Sequence, residues 1–418
     1  MHLLTAAALC AATVVAQQGG PDLLVRARTL YVGDGRVLKD AAVVVAGGRI
    51  VSVGAAPAAA AKETLDVAEA CVTPGFVEGS CHAGLPRGGA ENEEGSEVTP
   101  GIRVLDAVEP GAEEFARLLE QGVTTMIVTP GHRNVIGGLS CALKPRKGGV
   151  DAMLLRDEIA QLAALNREPA IRNSPPGGRF FRIGAPGLYN RRPATRLGVV
   201  FEVRRALMEG AGRLRSDGWL EQFDDVDGAP LARAVDGGTP IAFVANTETD
   251  ILAALRIADE FGVKRWYVQD AVEAERVREQ LARRKVDVMI GAVSFQAAPA
   301  TQFDRGGLMG APRRLADAGV RFAISRGTSR PGATLRDYAI AAARGGLPPG
   351  RAVAAVTGDP ARIVGVADRV GTVEAGKDAD LLVFAGDVLS PAASLACVVL
   401  DGRVVYRAEQ PARAEAPQ

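Results

Sequence analysis

The central part of the chain alternates short Val/Ile-rich runs with amphipathic stretches, and this alternation limits the fold more than any other feature. The apolar runs fall at 122–129, 240–245, 265–269, 286–293 and 320–325, with helical patterns between them such as 249–260 and 271–284. A strand that returns to its neighbour through a helix must run parallel to it, so repeated units of this kind build a parallel sheet. Their number predicts a (β/α)8 TIM-like barrel of the α/β class. On either side lie Gly-broken β-rich segments of one texture, at 22–72 and again at 371–384 and 397–406. Two distant segments of the same style predict one small discontinuous β-sandwich domain drawn from both chain ends, 19–72 with 366–410, around a barrel over 73–365.

With 418 residues, 47% of them apolar, the chain can bury a large core. Its 49 basic and 49 acidic residues cancel. No global field therefore favours nucleic acid, and none is expected as a partner. The first 18 residues carry a short apolar run ending in small residues at Val14 and Ala16. This pattern predicts a signal peptide over 1–18 and an exported protein, periplasmic or extracellular, although the run has no Lys or Arg before it. No other apolar stretch is long enough to span a bilayer. Four cysteines follow the apolar start: Cys71, Cys81, Cys141 and Cys397. Cys81 closes the first barrel strand and Cys141 follows the second, so export would allow a disulfide between them. The Pro-, Gly- and Arg-rich stretch 172–196 reads as a long irregular loop. The basic residues Lys144, Arg146 and Lys147 read as solvated loop charge, and His132 as part of a plain Gly-rich turn.

Several motifs stand together along the chain: Val72-Thr73-Pro74-Gly75-Phe76, a 91–100 run beginning Glu91-Asn92-Glu93, Gly122-Val123-Thr124-Thr125, Asn134-Val135-Ile136-Gly137-Gly138, Asp359-Pro360-Ala361-Arg362, and Gly376-Lys377-Asp378-Ala379-Asp380-Leu381. In combination they resemble the amidohydrolase superfamily, in particular its imidazolonepropionase-like branch. The resemblance implies hydrolysis of non-peptide or cyclic-amide carbon–nitrogen bonds by one or two divalent metals at the C-terminal ends of the barrel strands. It implies ligands from a His-x-His on strand one, histidines after strands five and six, and an aspartate after strand eight.

This chain departs from that pattern at each position. Strand one reads Ser80-Cys81-His82, strand five offers Asn246, strand six Asp270, and strand eight Gly327 beside the cation Arg326. Gln161 and Arg167 stand where relatives carry a bridging Lys or Glu. The degenerate positions are thus Ser80, Asn246 and Gly327, with His82 and Asp270 as vestigial metal ligands. A hydrolytic centre needs three good donors and a base, so the reading is a protein with no catalytic residues and no cofactor. Its barrel would bind a small molecule or pair with an intact amidohydrolase relative, and homo-oligomers are possible. The alternative is an active hydrolase with an atypical mononuclear zinc site at His82 and Asp270, helped by Glu248 or Cys81.

Overall fold

The computed structural model describes residues 21–55, 60–67, 69–86, 91–93, 95–172, 192–212, 225–291, 307–326 and 333–408. The predicted signal peptide and most of the 172–196 stretch lie outside them. Five strands come first: β1 (Leu23–Tyr31), β2 (Val37–Ala46), β3 (Arg49–Gly54), β4 (Glu63–Leu65) and β5 (Ala70–Pro74). β1, β2 and β3 form an antiparallel meander, while β4 and β5 run parallel to β1. At the β1–β2 turn Gly33 adopts φ +94° and lies so close to Gly371 that a Cβ would stand 2.5 Å from its carbonyl oxygen. Only glycine fits there.

β5 leads directly into the barrel strands: β6 (Phe76–Cys81), β7 (Val123–Val128), β8 (Ile136–Leu139), β9 (Cys141–Leu143), β10 (Leu154–Arg156), β11 (Gln161–Ala164), β12 (Ile241–Val244), β13 (Trp266–Gln269), β14 (Asp287–Ile290) and β15 (Phe322–Ile324). β6 pairs in parallel with β7, and β11 through β15 form an unbroken parallel run. The third position departs from the expected pattern. β8 and β9, separated only by Ser140, run antiparallel to β11 and to β7 respectively, so β7 and the following strand form a hairpin instead of a crossover through a helix. The ring closes through the backbone at 355–356: Ile324 N–H donates to Ala355 (2.7 Å) and Val77 N–H to Val356 (3.0 Å). One buried cluster unites Val77, Ile127, Ala142, Ala160, Ala242, Tyr267, Met289 and Ala323, roughly one side chain per strand. That is the layered interior of a barrel.

The helices are α1 (Glu113–Glu120), α2 (Val150–Met153), α3 (Glu168–Arg172), α4 (Arg196–Gly210), α5 (Asp225–Asp236), α6 (Glu248–Phe261), α7 (Arg278–Arg284), α8 (Gly307–Asp317), α9 (Leu335–Arg344), α10 (Pro349–Ala354) and α11 (Gly358–Ile363). α6 shows why they form. Thr247 and Asp250 make a capping box, Gly262 ends the helix in the left-handed conformation, and Ile251, Ala254, Leu255 and Ala258 bury one face. No helix among the described residues is long and apolar enough to cross a membrane.

The chain then returns to the first sheet through β16 (Leu381–Ala385), β17 (Ser394–Leu400) and β18 (Arg403–Arg407). β16 pairs with β5, stitching both chain ends into one continuous eight-stranded sheet whose two halves share one buried cluster. Lys144, read from sequence as a solvated loop charge, is fully buried where barrel and sheet meet. Its Nζ donates to Asp378 (3.2 Å), Asp380 (2.8 Å) and Asp401 (2.5 Å), and Arg146 adds a second cation on Asp401. A buried ammonium requires such partners, and the Asp378 and Asp380 motif supplies two of them.

Candidate functional site

The strand ends that should carry metal ligands hold an interlocked set of other groups. Ser80, 1% exposed at the end of β6, accepts a hydrogen bond from Gln269 Nε2 of β13 at 3.0 Å. Two residues earlier, Glu78 is completely buried. Ser325, just past β15, donates its hydroxyl to Glu78 Oε1 at 2.5 Å, and the Arg326 N–H donates to the same oxygen at 3.0 Å. The Arg326 guanidinium stands 3.7 Å from Glu78 Oε2. Burial pushes the Glu78 carboxyl up to about 7 despite these partners. Sequence reasoning passed over Glu78, although an acidic residue inside an otherwise apolar strand is a signal in itself. Gly327 lies outside the described residues.

Asn246, after β12, donates its amide to the backbone carbonyl of Asp270 at 2.9 Å. It therefore positions Asp270 and is not itself turned to a ligand's role. Glu248 opens α6, where its N–H donates to Glu273. Gln161 donates to the Gly137 carbonyl in the barrel wall, and Arg167 is exposed. Neither of these two holds a bridging position.

His82 and Asp270 meet at one place, and His132 joins them there. The three side chains come from the ends of β6, β7 and β13. His132, read from sequence as part of a plain turn, is enclosed, with its side chain 10% exposed and Nε2 standing 3.7 Å from Asp270 Oδ2. The His82 and His132 rings lie edge to face, with centres 6.2 Å apart. Burial holds both imidazoles down to about 4, so they are neutral at physiological pH; His132 adds to the effect on His82. Burial, then the neighbouring Glu168 and Glu78 carboxylates, push Asp270 up to about 7. Asp270 also adopts φ +55°, a left-handed conformation seldom used by residues other than glycine. Glu168, at the start of α3, is raised by burial as well. In these positions, no three His, Cys, Asp or Glu side chains among the described residues are placed to hold one metal ion.

The proposed Cys81–Cys141 disulfide is corrected by the sheet order. Val128 of β7 pairs with Cys81 on one side and with Cys141 on the other, so a full strand separates the two cysteines. Two inter-strand spacings amount to about 9.6 Å, beyond the reach of a disulfide. All four described cysteines are free and buried.

Comparison with known proteins agrees with this architecture. The amidohydrolase family model matches residues 242–405. The amidohydrolase tasK of Hapsidospora irregularis is 27% identical over 363 residues, which is 80% of this chain and 36% of that protein. The chain thus spans little more than a third of that relative's length. The crystal structure of an amidohydrolase from Thermotoga maritima MSB8 superimposes with a TM-score of 0.78 at 26% identity, covering 92% of this chain and all of the other. An adenosine deaminase from Xanthomonas campestris, solved with bound zinc, shares the fold at a TM-score of 0.51 and 17% identity, covering 92% of this chain and 93% of its own. These likenesses support membership of the amidohydrolase superfamily, a TIM-barrel fold with an accompanying sheet domain.

Proposed function

We propose that this protein has lost the superfamily's hydrolytic centre and uses the mouth of its barrel to bind a ligand or a partner subunit. One observation carries the reading. At and beside the ligand positions of strands one and eight stand groups bonded to one another: Gln269 holds Ser80, while Ser325 and Arg326, just before Gly327, hold Glu78. A fixed guanidinium beside that carboxylate repels a cation, and the sequence directly after β15, residues 325–334, carries no Asp or Glu to act as base. Loss of ligands at strand ends leaves the barrel core intact, so fold and chemistry can part company.

The test is turnover on a panel of amides, cyclic amides and amidines, with zinc and manganese added, by protein carrying no affinity-tag histidines. Absence of turnover above the His82→Gln background is the expected result. Turnover that disappears in Asp270→Asn would overturn the proposal in favour of a working carbon–nitrogen hydrolase built on His82 and Asp270. Their shared contact with His132 favours that second reading. Pairing with an intact relative is tested by co-purification, and export by the N-terminus of the mature protein.

A further inference from the structure

We infer that the cleft between the segment after β6 and the start of β8 binds a small zwitterion, a free α-amino acid with a short apolar side chain. The inference goes beyond the reading of the barrel mouth and stands whether or not turnover has been lost. β8 and β9 are two halves of one strand bent at Ser140. The second half pairs with β7, while the first leaves β7 and pairs with β11. Residues 98–103 run beside that first half, through bridges of Val98 to Ile136 and of Arg103 to Leu139. Where these segments meet lies a cavity of about 140 Å3. Every described residue that lines it falls within 85–107 or 130–138, and His82, His132 and Asp270 do not take part. Strands five, six and eight contribute nothing to it.

The polar groups of the wall suit a ligand carrying both charges. Asn92 Nδ2 and Arg103 Nε are buried without a hydrogen-bond partner. The Asn92 amide is held in place: its Oδ1 accepts the Arg133 N–H at 3.0 Å, and it packs so closely on Gly131 that a Cβ there would stand 2.3 Å from Nδ2. Arg103 is anchored through a terminal nitrogen by Asp157, which leaves Nε for another acceptor. Two such donors call for a carboxylate, whose oxygens take charge-assisted hydrogen bonds. An anion alone does not suit the cleft, because Glu91 also lines it, half-buried and with no cation paired to it among the described residues. That carboxylate is the natural partner of an ammonium. Leu85 and Ile102 supply apolar surface for the rest of the ligand. A cavity of about 150 Å3 holds one benzene molecule, so this one takes about six to eight non-hydrogen atoms, the range from alanine to valine.

The experiment titrates the full chain with L-valine by isothermal calorimetry, beside two analogues that each lack one charge, isovalerate and isobutylamine. Valine should bind with a Kd of about 0.1–1 mM, and each analogue roughly tenfold or more weakly. Glu91→Gln should weaken valine roughly tenfold and leave isovalerate unaffected. Asn92→Asp keeps the oxygen that holds the Arg133 N–H but replaces a donor with a negative charge, so it should abolish valine binding. Ala107→Phe fills the cleft from an exposed lining position and should do the same, which keeps the test decisive if Asn92→Asp does not fold. No binding of alanine, valine or proline at 10 mM by the wild type, equal binding of isovalerate, or valine binding unchanged in Ala107→Phe would each overturn the assignment. The loss of hydrolysis would still stand in every one of these cases, since turnover is measured separately.

Discussion

Replacing Lys144 with methionine isolates the electrostatics of the barrel–sheet junction, because the substitution keeps an unbranched apolar stem of similar length and opens little cavity. The ammonium touches three aspartates at 2.5 to 3.2 Å and is fully buried. Removing one partner of a buried ion pair costs about 3–5 kcal/mol. Two aspartates keep another cation: Arg369 on Asp378 and Arg146 on Asp401. Asp380 has no second cation among the ion pairs of the described residues, so the loss belongs at the lower end, about 3 kcal/mol. In a chain of this size that lowers the melting temperature by about 3–4 °C, measurable by circular dichroism.

The pH dependence gives a second signature of the same contact. Burial pushes Asp401 up, but Arg146 and Lys144 outweigh it and hold the carboxyl at about 2; burial of Asp378 is likewise outweighed by Arg369 and Lys144. Groups depressed in the folded state stabilise it above their ordinary range near 4, and that stability is lost as pH falls toward 2. Without Lys144 the three carboxylates repel one another, and acid relieves the repulsion. The deficit of Lys144→Met should therefore be largest near pH 8 and shrink by pH 5. Adding Asp380→Asn should recover about half of it. A Lys144→Met protein within about 1 kcal/mol of wild type at pH 8 would refute the argument.

Three further outcomes are expected. Glu78 is raised to about 7 from an ordinary 4.5, so its stabilising protonated form is lost as pH rises through 7. Glu78→Gln should flatten that slope and gain about 1–3 kcal/mol at pH 8 in urea unfolding; a loss there would contradict it. Cys81 and Cys141 should both alkylate only after denaturation in protein purified without reductant, and a linked peptide in mass spectrometry would refute the strand order. Gly138→Ala should cost about 1–3 kcal/mol or more, because the new Cβ would sit 2.1 Å from the Ile102 carbonyl oxygen; a melt unchanged from wild type would show that the backbone yields there.

The superfamily and the parallel half of the barrel were legible because strand and helix periods differ and the motifs are spread along the whole chain. The reversed third strand was not, since Ile136 through Leu143 is apolar and Gly-containing in a way that reads alike in both directions. That reversal hid three things. It inserts β7 between Cys81 and Cys141, folds His132 back over the barrel mouth, and carries Lys144 to the opposite end of the barrel. Composition around His132 spoke only of a turn, whereas the scarcity of histidine was the better signal. Lys144 looked solvated beside Arg146 and Lys147 because its partners lie more than 230 residues away.

The antiparallel return of the chain from β7 through β8 to β9 has a consequence for how this mouth can change. A loop that joins a strand to a helix hangs from elements free to shift, and it tolerates insertions. His132 instead sits in the connection between β7, held in register by β6 on one flank and β9 on the other, and β8, held by β11. Adding a residue there would slip every side chain of β8 to the opposite face. The rim of this barrel therefore has one rigid corner, and new specificities would have to be built on the loops around it.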